Sequence, residues 1–153
     1  MAKKTLFKLP FETDFRITGV FCRENDYRFT WMLNKHLMFD FRRVADFEFA
    51  RTREEQPSRH SVFYFDQPTL MRTFFLVNNR SAEGQSIFTN PPALDFLLLV
   101  KAEGARFSSV DLLRNLRAIS QVTAAYQLDD ALGRHKEAFL YDFELFLSLK
   151  IKS

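Results

Sequence analysis

The sequence predicts an α+β domain spanning residues 1–153: a mostly antiparallel sheet with two helices packed on one face. Three observations lead there. Short apolar or alternating segments recur along the chain, each bounded by turn residues. Two segments, 24–37 and 109–119, change to the helical period. No repeat, low-complexity tract or long linker divides the 153 residues.

Taken in order, TLFKL at 5–9 is a short strand ended by Pro10, and RITGVFC at 16–22 is a second. In ENDYRFTWMLNKHL, Asn25 or Asp26 caps a helix. Its apolar stripe is Phe29, Met32, Leu33 and Leu37, with Trp31 on the flank. The stretch 39–51 alternates at both ends and turns or bulges near Ala45–Asp46. A polar loop at 52–59 leads to strands 60–66 and 72–78, joined by DQPT.

Two prolines then stand immediately before an unbroken apolar run, in TNPPALDFLLLV at 89–100. Residues that precede proline are pushed into extended backbone, and proline donates no hydrogen bond. Residues 89–92 are therefore an edge or loop that enters the strand at 94–101. Asp95 at that entry is predicted to accept backbone N–H groups rather than to act in catalysis.

Ser108 and Asp111 form a capping box for a helix at 109–119, whose inward residues are Val110, Leu112, Leu113, Leu116 and Ile119. QVTAAYQLD at 121–129 alternates, with Val122, Ala124, Tyr126 and Leu128 on one face, and is a strand. In the tail every odd position from 139 to 151 is apolar, while the even positions are mostly polar. That period of two predicts a half-buried strand at about 138–151. It could complete its own sheet, by pairing with the N-terminal strand, or join another chain.

Composition narrows the functions. The 19 phenylalanines are read as core. A net charge of +3 falls short of the clustered basic excess of a nucleic-acid binder. A single cysteine, Cys22, forbids an internal disulfide and predicts an inert buried thiol in a reducing, cytoplasmic setting. The first residues lack the pattern of a signal peptide, and the longest apolar run, 96–100, is too short to span a membrane. His36, His60 and His135 are too scattered for a recognisable metal set, and the four glycines stand singly, without a phosphate loop. Neither cofactor nor metal is predicted.

Three functions remain in order of preference. The first is a non-enzymatic protein-interaction module, with itself or another protein as partner; Asp26, Arg28 and Trp31 on the first helix and Pro91, Pro92 and Asp95 at the loop are its candidate residues. The second is RNA binding by FDFRRVADFEFAR, with Phe stacking on bases and Arg42, Arg43 and Arg51 on phosphates. The third is a small-ligand enzyme or sensor near Asp26 and Asp95.

Several strings resemble the IPExxVD family of bacterial proteins: AKKTLFKLPFETDF at the start, DYRFTWMLNK at 26–35, RVADFEF at 43–49, FFLVNNRS at 74–81, DFLLLVKAEG at 95–104 and VTAAYQLD at 122–129. In the motif that names the family, this chain keeps Leu94 and Asp95, while Pro91 stands where the glutamate belongs. The resemblance implies a cytoplasmic α+β protein and nothing enzymatic. A role for the motif's glutamate does not carry over.

Overall fold

The computed structural model describes residues 15–52, 54–102, 107–128 and 132–151. The predicted strand at 5–9 lies outside them. The remaining elements are β1 (Phe15–Cys22), α1 (Asp26–Leu37), β2 (Arg42–Arg43), β3 (Phe47–Phe49), β4 (Ser58–His60), β5 (Val62–Gln67), β6 (Arg72–Asn78), β7 (Phe96–Ala102), α2 (Ser109–Arg117), β8 (Val122–Gln127) and α3 (Arg134–Phe146). A π-helical turn, Leu147–Ile151, prolongs α3.

Six strands form one sheet in the order β2-β5-β6-β7-β1-β8, with every neighbouring pair antiparallel; β3 and β4 make a separate two-stranded ribbon. The α+β class is as the sequence predicts. Because β7 and β8 flank β1 and both run against it, they are parallel to each other, with α2 as their connection. Asn25 caps α1 by accepting from the Arg28 amide at 3.0 Å, and Ser108 caps α2 by accepting from Asp111 at 3.2 Å.

Both sheet faces are covered. On one, Phe29, Met32 and Leu33 of α1 and Leu112 and Leu116 of α2 pack over Phe74, Leu76, Phe96 and Leu98. On the other, Phe139, Leu140, Phe143 and Phe146 of α3 pack over Ile17, Phe75, Leu97 and Leu99. The apolar run in β7 is thus unbroken because its alternate side chains enter two different cores.

The predicted tail strand at 138–151 is corrected: residues 134–146 are helical, and the domain is three-layered. Leu140 and Phe146, which break the period of two, are buried, whereas Tyr141, Leu145 and Leu149 are exposed. The tail therefore does not pair as a strand within the chain or between chains. Two face assignments also fail. Val110 is exposed in the first turn of α2. Tyr126 is exposed because a bulge opposite Phe21 and Cys22 shifts the alternation of β8, burying Ala125 instead.

Candidate functional site

The loop between β6 and β7 is held from three sides. Asn79, fully buried, donates to the carbonyls of Phe88 (2.9 Å) and Leu94 (3.0 Å) and accepts from the Phe88 amide (2.9 Å). Its backbone amide donates to Asp95 O, and its carbonyl accepts from Ile87. Arg80 donates to Ala93 O at 3.0 Å and to the Asp95 carboxylate at 2.8 Å. Arg51 reaches across from β3 to the carbonyls of Ser86 (2.6 Å) and Ile87 (3.3 Å).

The Asp95 carboxylate also accepts from the Cys22 amide at 2.8 Å, the backbone bond its position predicts. With Arg80 on its other oxygen, Asp95 ties the ends of β1 and β7 to the loop, and both oxygens are engaged structurally. Pro91 and Pro92 sit in the loop outside the sheet, joined to Asn90 by a cis peptide bond at Pro91.

On α1, the side chains opposite the buried face form an apolar stripe. Tyr27 is 69% exposed, Trp31 56% and Met38, at the C-cap, 81%. Tyr27 and Trp31 stand one turn apart on the helix, while Asn34, the next position along that line, is bound to the Phe41 backbone on both side-chain atoms. The Lys35 ammonium lies 5.0 Å from the Trp31 ring centre, and Arg28 pairs with Glu24 at 3.3 Å. Asp26 is occupied at the helix start, accepting from the Tyr27 amide at 2.6 Å. At its first end Glu24 and Asp26 stand beside Arg23 and Arg28, and at its last end are Lys35 and His36.

The arginine–aromatic segment separates into layers. Phe41 and Phe47 are buried, and Phe39 is packed among Phe41, Phe65 and Phe74, so these rings present no open stacking platform. Arg42 pairs with Asp40 at 3.2 Å, and Arg43 with Asp46. Asp26 and Asp95 are each bound locally, Asp26 by the Tyr27 amide and Asp95 by Cys22 and Arg80, and they share no partner among the described residues. Burial pushes the Cys22 thiol up, which keeps it protonated and unreactive. Among the described residues, no group of three or more His, Cys, Asp or Glu could hold a metal, and no helix is long and apolar enough to cross a membrane.

Ser58 and His60 sit 2.7 Å apart but are buried, so the pair is structural. The His60 Nδ1–H donates to Asn78 O at 2.8 Å, and Nε2 lies 2.7 Å from the Ser58 hydroxyl, which is also 3.2 Å from Phe49 O. Burial holds the imidazole below its ordinary value of 6.5. The folded state therefore binds this proton less readily than the unfolded chain. His60 contributes stability that is complete above about pH 6.5 and declines as pH falls below it. Urea midpoints at pH 7.5 and 5.5 should show a loss in the wild type that shrinks in His60→Gln; an equal loss in both would refute this assignment.

A cleft of about 390 Å³ opens between α3 and the pinned loop. Phe49, Ile87, Phe88, Leu132 and Phe139 give it apolar walls; Arg51, Asn90, His135 and Asp142 supply polar groups. The apolar surroundings push the Asp142 carboxyl up from its ordinary value. The helical period sets His135 and Asp142 two turns apart on one face of α3, a relation invisible while the tail is read as a strand. Asn79 and Arg80 were also missed as loop anchors; their signal is the polar run Asn78–Asn79–Arg80 that follows the apolar strand FFLV.

These features define an α+β domain with two surface sites, an exposed seam on α1 and a cleft beside α3. No family model, curated protein or solved structure matches the chain.

Proposed function

We propose that the protein is a non-enzymatic interaction module of the bacterial cytoplasm that self-associates through the outer face of α1. The observation that carries this reading is the exposed Tyr27–Trp31–Met38 seam, directly opposite the helix's buried side. Tyr, Trp and Met are the residue types enriched at the centres of protein interfaces.

The occupant is a second copy of this chain, its α1 laid antiparallel on the first. Antiparallel pairing about a two-fold axis is self-complementary. Sheet edges offer a poorer route. Edge strand β2 has two residues, both arginine, and on β8 the Ala125 carbonyl is taken by the Arg117 guanidinium at 2.6 Å. The seam alone covers less than the ~800 Å² per partner of a standard interface, so the dimer is weak, roughly micromolar or weaker.

Sedimentation equilibrium tests it. The wild type should show a reversible monomer–dimer equilibrium, and Tyr27→Ala/Trp31→Ala should shift the dissociation constant at least ~10-fold with an unchanged circular dichroism spectrum. A wild-type monomer at every concentration, an unaffected double variant, or a seam occupied only by a different protein would overturn self-association.

A further inference from the structure

We propose that Arg117 is a guard on the outer edge of β8, and that the surface it closes is a strand-pairing site for the β8 of a second copy of this chain. β8 ends the six-stranded sheet, with β1 on one side and no strand among the described residues on the other. An unpaired edge is a template for another chain, and proteins blunt it with charges, proline, bulges or a cover.

Within its own sequence β8 carries little of that protection. VTAAYQ holds no charge and no proline, and the bulge opposite Phe21 and Cys22 disturbs only its first residues. The register fixes which backbone groups look outward. Leu128 N–H donates to Ile17 O at 2.9 Å, and from that pair the hydrogen-bonded positions alternate through Tyr126–Gly19 to Ala124–Phe21. Ala125, between them, turns its N–H and C=O away from β1.

Arg117, the last residue of α2, takes that outward carbonyl. Its Nε and Nη2 lie 3.1 Å and 2.6 Å from Ala125 O, and its guanidinium carbon is 6.0 Å from the Tyr126 ring centre. Ala125 is fully buried although it stands on an edge strand. A charged, two-pronged donor binds the oxygen more strongly than a neutral backbone amide does, so an incoming strand cannot displace it. Arg117 itself is exposed, and its side chain can leave without opening the core.

With the guanidinium gone, two β8 strands fit antiparallel about a two-fold axis at Ala125. Each Ala125 N–H then donates to the other copy's carbonyl, and Thr123 stands opposite Gln127 with no like charges opposed. The acceptor this pairing needs is the oxygen Arg117 holds, so guard and partner exclude each other. On the α1 reading above, a second self-complementary face carries assembly beyond two copies, and the guard prevents it.

Sedimentation equilibrium in the Tyr27→Ala/Trp31→Ala background separates this edge from α1. Adding Arg117→Ala should tighten association at least ~10-fold, to a dimer, with an unchanged circular dichroism spectrum. Hydrogen exchange at the Ala125 amide should slow as that dimer forms. Thr123→Lys, which returns a charge to an exposed position on the same edge, should restore the monomer. A folded Arg117→Ala chain that stays monomeric, a dimer in which Ala125 exchanges at the monomer's rate, or indifference to Thr123→Lys would overturn the proposal. Should Arg117→Ala fail to fold, exchange in the unaltered chain decides: Ala125 should be less protected than Tyr126, whose amide bonds to β1, and equal protection would mean that another element already pairs with the edge.

Discussion

Phe143→Ala should lower the free energy of unfolding by about 3–5 kcal/mol, among the largest effects of any single truncation in this chain. Phe143 is fully buried, and its ring lies within 5.3–6.2 Å, centre to centre, of Phe15, Phe47, Phe75, Phe139 and Phe146. It joins α3 to the sheet and to the β3–β4 ribbon at once. Truncation opens a cavity that five rings on four separate elements cannot close by a small shift. Leu145→Ala, two residues on but exposed, should cost under ~1 kcal/mol. Urea unfolding of the two variants checks the pair. Similar costs for both would mean that α3 is not packed in this orientation.

Asn79→Ala should cost about 3–5 kcal/mol, by a different mechanism. The change removes one small side chain and strands two buried carbonyls and one amide, at Phe88 and Leu94. Each unpaired buried group costs ~1–3 kcal/mol, less whatever water recovers. Asn79→Asp, nearly the same shape, keeps the acceptor for the Phe88 amide but sets a carboxylate against two carbonyls, and should be no better tolerated. Hydrogen exchange at Ile87 and Phe88 should accelerate in both variants. Protection unchanged at those amides would show that the loop is held by Arg51 and Arg80 without Asn79.

The β6–β7 loop explains why a stiff Pro-Pro step stands against a buried strand. Pro91 and Pro92 donate no backbone hydrogen bonds, and on either side of them the carbonyls of Ser86, Ile87, Phe88, Ala93 and Leu94 accept from the side chains of Arg51, Asn79 and Arg80. From the sequence alone Asp95 could be placed as a backbone acceptor, since a carboxylate at a strand entrance has few other uses. Its ion pair with Arg80 could not, because the fourteen intervening residues fold back through contacts that no local pattern encodes.

The helices α1 and α2 were legible because cap and stripe agree in each: Asn25 with Phe29, Met32 and Leu33; Ser108 with Leu112 and Leu116. The tail was misread because its two faces are both apolar. Tyr141, Leu145 and Leu149 fall on odd positions together with buried Phe139 and Phe143, which imitates a strand. A signal against that reading was present elsewhere. Five consecutive buried residues in β7 require cover on both faces of the sheet, and two helices can cover only one. The third helix had to come from the tail. With the tail misassigned, the cleft was invisible, because His135, Asp142 and Phe139 share it only when the chain is helical.

Trp31 is the single tryptophan, and it occupies the centre of the α1 seam. Its fluorescence, recorded as the protein is concentrated from ~1 μM to ~1 mM, reports on self-association at the residue concerned. The account predicts a blue shift that follows a monomer–dimer isotherm and disappears in Tyr27→Ala. Emission that stays at the position of a water-exposed indole throughout would contradict it.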